Sequence, residues 1–179
     1  MTSGDKIRIA EYDLEWPKKY VEEENRIKQK IDDLIFSINH VGSTSVYSLG
    51  AKPIIDIMVG VDNTKTADIC QKRLEEIGYC DVTPQPENDD WFYCLGRGNK
   101  GLYYHLHIVL HNSGFHLRHI VFRDYLRDHP QIAEEYYNLK KKLAEVTGSD
   151  RRAYTSAKTS FIEDTLQKAE EEGYSVSVN

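Results

Sequence analysis

The 179-residue sequence has few of the features that mark exported, membrane-spanning or metal-stapled proteins. Its three cysteines are an odd number at irregular spacings with no C-x-x-C pair, which argues against a disulfide framework or a zinc knuckle. No apolar run approaches the roughly 20 residues of a membrane-spanning helix. The N-terminus has no hydrophobic signal region. These absences predict a cytoplasmic protein with no membrane partner.

Positive charge is also scarce, because the net charge is −6 and the isoelectric point is near 5.6. A protein that binds duplex nucleic acid non-specifically needs a basic face to neutralise phosphates, so no duplex nucleic acid is expected as a partner. A small phosphorylated ligand in a local basic pocket is compatible with this charge. The chain also lacks repeats and any linker rich in Ser, Gly or Pro, which favours a single domain over residues 1–179.

The spacing of apolar residues predicts an α+β fold rather than the strict alternation of a doubly wound sheet. A sheet core is expected over about residues 6–112, and a helical C-terminal third over about 116–172 with breaks at His129-Pro130 and Thr147-Gly148-Ser149. The acidic stretch 83–90 is interpreted as an exposed loop. The predicted strands are 6–12, 35–41, 53–61, 79–83, 91–96 and 102–110, and the predicted N-terminal helices are 17–34 and 66–77.

A glycine followed by three small hydroxyl residues, Gly42, Ser43, Thr44 and Ser45, lies between two predicted strands. Backbone N–H groups and hydroxyls in such a turn approach a phosphate closely. The sequence has no Walker loop, and a tight turn capped by its own hydroxyls is the competing interpretation.

An aspartate stands in the middle of the most apolar strand, at Asp56 in Ile54–Val59. A carboxylate is costly to bury there unless it is paired or bound to a cation. Because this strand follows the glycine-serine turn, a functional role competes with a structural aspartate held by backbone donors.

Two histidines, His105 and His107, alternate on one strand and therefore share a face of the sheet. Two imidazoles at this spacing can ligate one metal, or one can act as acid or base while the other binds. A lone strand histidine is usually a hydrogen-bonded core residue, but a pair favours a site. His111, His116 and His119 are interpreted as surface or cap residues.

Together these segments resemble a known family. HVGSTSVYSLGAKPIIDIMVGV at 40–61, HLHIV at 105–109 and FRDYLRDHP at 122–130 are similar to the motifs of the GrpB-like family, a branch of the nucleotidyltransferase (DNA-polymerase-beta-like) superfamily. YDLEWPKKYVEEE at 12–24 and the pattern R-x-x-Y-x-x-x-K-x-x-F-I beginning at Arg151 fit the same family. The resemblance spans about residues 6–172.

The resemblance implies a nucleotidyltransferase-like mixed sheet flanked by helices, with the helical third closing a cleft. It implies a divalent metal held by the aspartate strand, but the position of the second carboxylate is Met58. Asp56, His105 and His107 are therefore the expected catalytic and metal-binding residues. Magnesium prefers oxygen ligands, whereas this donor set also suits Mn²⁺ or Zn²⁺, or no metal at all.

Basic residues complete the expected site. Arg123 and Arg127 can also form a surface charge network with Asp124. The run at 140–142 is interpreted as an exposed helix surface. The candidate phosphate-binding or substrate-binding residues outside the turn are Lys52, Arg123, Arg151, Tyr154 and Lys158.

The sequence thus predicts an enzyme that binds a nucleotide or another phosphorylated small molecule and transfers a nucleotidyl or phosphoryl group. The alternative is a non-catalytic ligand-binding or regulatory protein on the same fold, with Met58 as the sign of a degenerate metal site. Substrate, acceptor, metal and oligomeric state are left open at this point.

Overall fold

The computed structural model describes residues 6–82, 89–99 and 102–175. Positions 83–88 of the predicted acidic loop lie outside the described residues. None of the helices in the described ranges combines the length and apolar character that crossing a membrane requires.

A five-stranded mixed sheet forms the centre of the fold, in the order β1-β2-β5-β4-β3. β2 and β5 run parallel, and the other neighbouring pairs are antiparallel. The prediction of an α+β fold with a mixed sheet is confirmed. The strands are β1 (Ser37–Val41), β2 (Ile54–Val61), β3 (Cys80–Asp81), β4 (Trp91–Asn99) and β5 (Leu102–Leu110).

Six α-helices flank the sheet in the part of the chain that the structure describes, and the local sequence explains where five of them begin. Pro17 and Pro130 occupy the first turns of α1 and α4, where the missing N–H costs nothing. Asn63, Ser113 and Asp150 cap α2, α3 and α5 by accepting backbone N–H bonds. The helices are α1 (Trp16–Ile31), α2 (Thr64–Glu75), α3 (Gly114–Asp128), α4 (Pro130–Thr147), α5 (Arg151–Ser156) and α6 (Thr159–Glu171).

The two faces of the sheet have different coverings because side chains alternate along each strand. Ile55, Ile57 and Leu106 point into the main core, together with residues of α1 and α2. Met58 and Val109 point the opposite way and pack with Phe115 of α3. The helical third therefore covers the same face of the sheet as Asp56.

The strand predicted at 6–12 is wrong. Within this segment the structure forms a single bridge, in which Ala10 and Ala51 exchange two backbone hydrogen bonds of 2.8 and 2.9 Å. Pro53 follows two residues after Ala51 and has no N–H to donate, so the ladder cannot extend in that direction.

Candidate active site

Asp56 and His105 face each other on the two central parallel strands. The register pairs Asp56 of β2 with His105 of β5 and Met58 with His107, so the alternation places both histidines on the Asp56 face. The His105 Nδ1 and Asp56 Oδ1 atoms are 3.6 Å apart, and about a third of each side chain is exposed. Strand alternation and pairing therefore place the Asp56 carboxylate and the His105 imidazole side by side, where solvent can reach both.

The carboxyl of Asp56 is held in its ionised form by its neighbours. Burial by itself raises the pKa of this group. The hydrogen bond and charge of His105, together with the charges of His107 and Lys52, lower the pKa by more than burial raises it. The net pKa lies below the ordinary aspartate value. Asp56 is thus an anion at neutral pH.

The glycine-serine turn packs directly against this carboxylate. Gly42 has a φ of 68°, and a Cβ atom at this position would overlap Oδ2 of Asp56. The turn continues into a short 3₁₀ helix over Ser43–Ser45. The local sequence folds this way because a glycine alone tolerates both the left-handed backbone and the close approach.

The hydroxyls of the turn divide between structure and solvent. Thr44 Oγ1 lies 3.0 Å from His40 Nε2 and donates to the carbonyl of Ile54 at 3.1 Å. Ser45 donates to the carbonyl of Gly42. Ser43 is half-buried, and its hydroxyl has no hydrogen-bond partner among the described residues. Thr44 and Ser45 therefore shape the turn, and Ser43 is the hydroxyl left available to a ligand.

Three lysine ammonium groups lie near one another on the helical side of Asp56, and we call Lys52, Lys140 and Lys158 the lysine cluster. Lys52 Nζ and Lys158 Nζ lie 5.1 and 4.7 Å from the centroid of the Tyr154 ring. Tyr154 is almost fully buried in α5. The predicted site residues Lys52, Tyr154 and Lys158 are thus brought together.

Lys140 is buried, so the prediction that this member of the lysine cluster lies on an exposed helix surface is wrong. The residue is 3% exposed, and its ammonium donates to the carbonyl of Gly50 at 2.6 Å. It also lies 4.8 Å from the centroid of the Tyr136 ring. The missed signal was helical spacing, because position 140 falls on the buried stripe of α4 formed by Ala133, Tyr136 and Ala144.

The lysine cluster carries more positive charge than the protein neutralises. Burial lowers the pKa of Lys140 to about 7, and the charges of Lys158 and Lys52 act in the same direction. Burial and Lys52 lower the pKa of Lys158 to about 8. Asp56 opposes both shifts and, among the described residues, is the one carboxylate that contributes to them.

His107 lies on the Asp56 face of β5, and two further histidines, His116 and His119, lie on α3. Burial lowers the pKa of His107 to about 4, and its Nδ1 atom has no hydrogen-bond partner among the residues that the structure describes. His116 is 3% exposed, so it is not a surface residue, and its Nδ1 accepts the N–H of Asn112 beside the start of α3. His119 is also withdrawn from solvent, and burial lowers its pKa.

Two of the arginines of α3, Arg123 and Arg127, form hydrogen bonds with other parts of the protein. Arg123 pairs with Asp124 and donates to the carbonyl of His40 at 3.1 Å. Arg127 donates two hydrogen bonds to the carbonyl of Ser45. A surface network with Asp124 does form, but both residues also tie α3 to the glycine-serine turn. Arg151 is exposed and adds positive charge near Lys52.

The residues around Asp56 supply few ligands for the divalent metal that the resemblance implies. Asp56 and His105 are adjacent, but within 6–82, 89–99 and 102–175 no three His, Cys, Asp or Glu side chains are arranged to hold a metal ion. Met58 is fully buried at the second carboxylate position. These residues do not complete a protein-made metal centre, so metal ligation by Asp56, His105 and His107 stays a prediction.

The sequence of this chain matches the model of a known protein family. The sequence model described as "GrpB protein" matches residues 6–168. The chain belongs to the GrpB family. The predicted resemblance to this family is therefore confirmed.

Similar proteins occur in several bacteria. The glutamate-rich protein GrpB of Alkalihalophilus pseudofirmus is 30% identical over 94% of this chain and 98% of its own length. The UPF0157 protein YqkA of Bacillus subtilis is 34% identical over 92% of this chain, which spans 47% of that relative's length. The crystal structure of the conserved protein GrpB from Enterococcus faecalis has a TM-score of 0.82 and 34% identity, covering 94% of this chain and 100% of that one.

Proposed function

We propose that this GrpB-family protein binds a nucleotide or another phosphorylated small molecule and transfers a nucleotidyl or phosphoryl group. The observation that carries the proposal is the charge of the cleft, where the lysine cluster faces the single carboxylate of Asp56. One buried and two half-buried cations call for an anionic ligand that brings both charge and hydrogen-bond acceptors. A phosphate chain supplies both.

The proposed roles follow from which atoms are free. Lys52 and Lys158 stabilise negative charge on the phosphates, and the unpartnered hydroxyl of Ser43 donates to a phosphate oxygen. Asp56 faces Nδ1 of His105 and orients the imidazole, which leaves Nε2 as the nitrogen able to accept the proton of an attacking hydroxyl.

A divalent metal, Mg²⁺, Mn²⁺ or Zn²⁺, remains part of the proposal as a cofactor that a phosphorylated substrate would help to bind. Asp56 and His105 are the described residues best placed to contact it. Such an ion would act as a Lewis acid on a phosphoryl oxygen. Calorimetric titration of Mn²⁺ and Zn²⁺ into the wild type and Asp56→Asn, with and without nucleotide, tests this expectation.

The alternative function is a non-catalytic ligand-binding or regulatory protein that uses the same cleft. Met58 favours it, because a fully buried methionine at the second carboxylate position contributes no metal ligand. Both functions require the lysine cluster, but only the enzyme requires Asp56 and His105 for turnover.

The test combines binding with turnover. Nucleoside triphosphates are titrated by calorimetry, and release of pyrophosphate and phosphate is followed with and without each metal ion. The proposal expects Lys158→Met to weaken binding at least tenfold and Asp56→Asn to abolish release. Lys142→Met, on the exposed face of α4, is the matched control. Binding without release under any condition supports the alternative, and wild-type affinity in Lys158→Met contradicts both.

A further inference from the structure

We propose that ligand binding at the lysine cluster is coupled to proton uptake, so that the protein binds its phosphorylated ligand together with protons and loses affinity as the solution becomes more alkaline. This inference rests on the proposed function, because it takes the ligand to be a phosphate-bearing anion. It adds a regulation of the site: the affinity responds to pH in the neutral range.

The first support is the packing of the ammonium groups. Two of them, Lys52 and Lys158, lie over the same Tyr154 ring at 5.1 and 4.7 Å. The third, Lys140, is 3% exposed and has a backbone carbonyl as its hydrogen-bond acceptor. A carbonyl contributes a partial charge only, so it does not neutralise a buried ammonium.

The second support is the inventory of charges around Lys140 and Lys158. Lys52 faces both groups from the loop before β2, and Asp56 is the carboxylate that β2 presents to them. Each of the two lysines also has a tyrosine ring beside it, Tyr136 from α4 and Tyr154 from α5. Both phenols have raised pKa values and are uncharged at neutral pH.

These surroundings leave three lysines against one carboxylate, with the exposed Arg151 adding a further positive charge near Lys52. Full protonation of the empty site would place mutually repelling charges in a region with little water. The empty site relieves this repulsion by releasing protons, and a phosphate chain reverses the release by supplying negative charge.

The pKa values set the pH range of the effect. Burial and the neighbouring ammonium groups lower the pKa of Lys140 to about 7 and that of Lys158 to about 8 in the ligand-free protein. At pH 6 both are almost fully protonated, so binding takes up about 0.1 proton, whereas at pH 8 the two groups together lack about 1.4 protons. A polyanion that restores both lysines to their ordinary pKa range therefore takes up more than one proton at pH 8.

The experiment counts these protons directly. Inorganic tripolyphosphate is titrated into the protein at pH 6 and pH 8, in buffers of different ionisation enthalpy and without added metal. The dependence of the observed heat on buffer gives the number of protons taken up. The wild type should take up about one proton more at pH 8 than Lys140→Met does, and its affinity should fall more than tenfold per pH unit near pH 8.

Controls separate the lysines from the ligand. The ionisation of tripolyphosphate is common to every variant, so it cancels when variants are compared. Lys142 lies two residues after the buried Lys140 but on the exposed face of α4. Lys142→Met should therefore take up as many protons as the wild type. If Lys140→Met does not fold, Lys158→Met removes the second titrating lysine instead. Its proton uptake on binding at pH 8 should be lower than that of the wild type by about half a proton.

The outcomes distinguish the two proposals. Binding with equal proton uptake in the wild type and both lysine variants overturns the coupling and leaves the proposed function standing. Absence of tripolyphosphate binding at either pH, together with absence of nucleoside triphosphate binding, overturns the proposed function and the coupling with it. A lower uptake in the lysine variants but not in Lys142→Met supports the inference.

Discussion

Gly42 and Asp56 lie so close that a side chain on the glycine would overlap Oδ2 of the carboxylate. The backbone of Gly42 also has a φ of 68°, which side chains disfavour. A glycine is therefore required at this position for two reasons: the backbone conformation disfavours a side chain, and the Asp56 carboxylate leaves no room for one. Its position fixes where the Asp56 carboxylate stands relative to the turn.

Gly42→Ala should displace Asp56 and weaken binding of nucleoside triphosphate at least tenfold. Gly148→Ala is the matched control, because Gly148 has a similar φ of 59° but nothing within 4 Å of an added Cβ. Both variants carry the conformational cost of a backbone that glycine alone adopts readily, roughly 1–3 kcal/mol, whereas only the first crowds the carboxylate. Calorimetric titration of both variants checks this, and equal affinities would show that the turn does not position Asp56.

The strands of the site were predictable because their sequences obey a simple rule. Ile54–Val61 is a continuous apolar run, and alternation alone places Asp56 on the face opposite Ile55 and Ile57. The same rule places His105 and His107 on one face of β5. What alternation cannot supply is the pairing register, which sets His105 directly beside Asp56.

The buried lysine and histidine were missed for a different physical reason. Charge composition made the run 140–142 look exposed, although helical spacing puts Lys140 in line with buried Tyr136. His116 was interpreted as a cap or surface residue, and its burial depends on α3 packing against the sheet. Such tertiary burial overrides the preference of a polar residue when a backbone group provides a hydrogen bond.

A second prediction concerns a buried ion pair far from the site. Glu23 of α1 is 4% exposed and accepts hydrogen bonds from Tyr79 at 3.0 Å and from Arg97 of β4 at 2.7 Å. Arg97→Ala should lower the free energy of unfolding by about 3–5 kcal/mol, because the Glu23 carboxylate would stay buried without its cation. Urea denaturation measures the change.

The control for this variant is a surface pair with comparable contact. Arg118 and Glu163 join α3 to α6, and their side chains are 39% and 53% exposed. Arg118→Ala should therefore cost less than about 1 kcal/mol. A loss in Arg97→Ala no larger than that of the surface variant would mean that Glu23 is solvated or neutral in the folded protein.

A third prediction is that the protein loses stability at a higher pH than protonation of its carboxylates alone would cause. Burial lowers the pKa of His40 and of His116 to about 4 each. Between about pH 6.5 and pH 4 these imidazoles bind protons in the unfolded chain but stay neutral in the folded protein. The free energy of unfolding therefore falls as the pH drops through this range. His116→Asn keeps an acceptor for the Asn112 N–H and should make the pH dependence shallower by up to one proton. Urea midpoints at successive pH values measure this, and superimposable profiles would contradict it.

The fourth prediction follows from Lys140 and concerns the ligand-free protein at alkaline pH. Its pKa is about 7 in the folded chain and 10.5 for a free lysine side chain, so between these values the unfolded state binds more protons than the folded state. The free energy of unfolding should therefore rise with pH from about 7 to about 10 relative to Lys140→Met, whereas Lys142→Met should keep the wild-type slope. Saturating tripolyphosphate should reduce the slope, because the anion restores the proton to the folded lysine. Urea denaturation at pH 7, 8.5 and 10 measures the slopes, and a Lys140→Met slope equal to the wild type without ligand would mean that Lys140 keeps its charge in the folded protein.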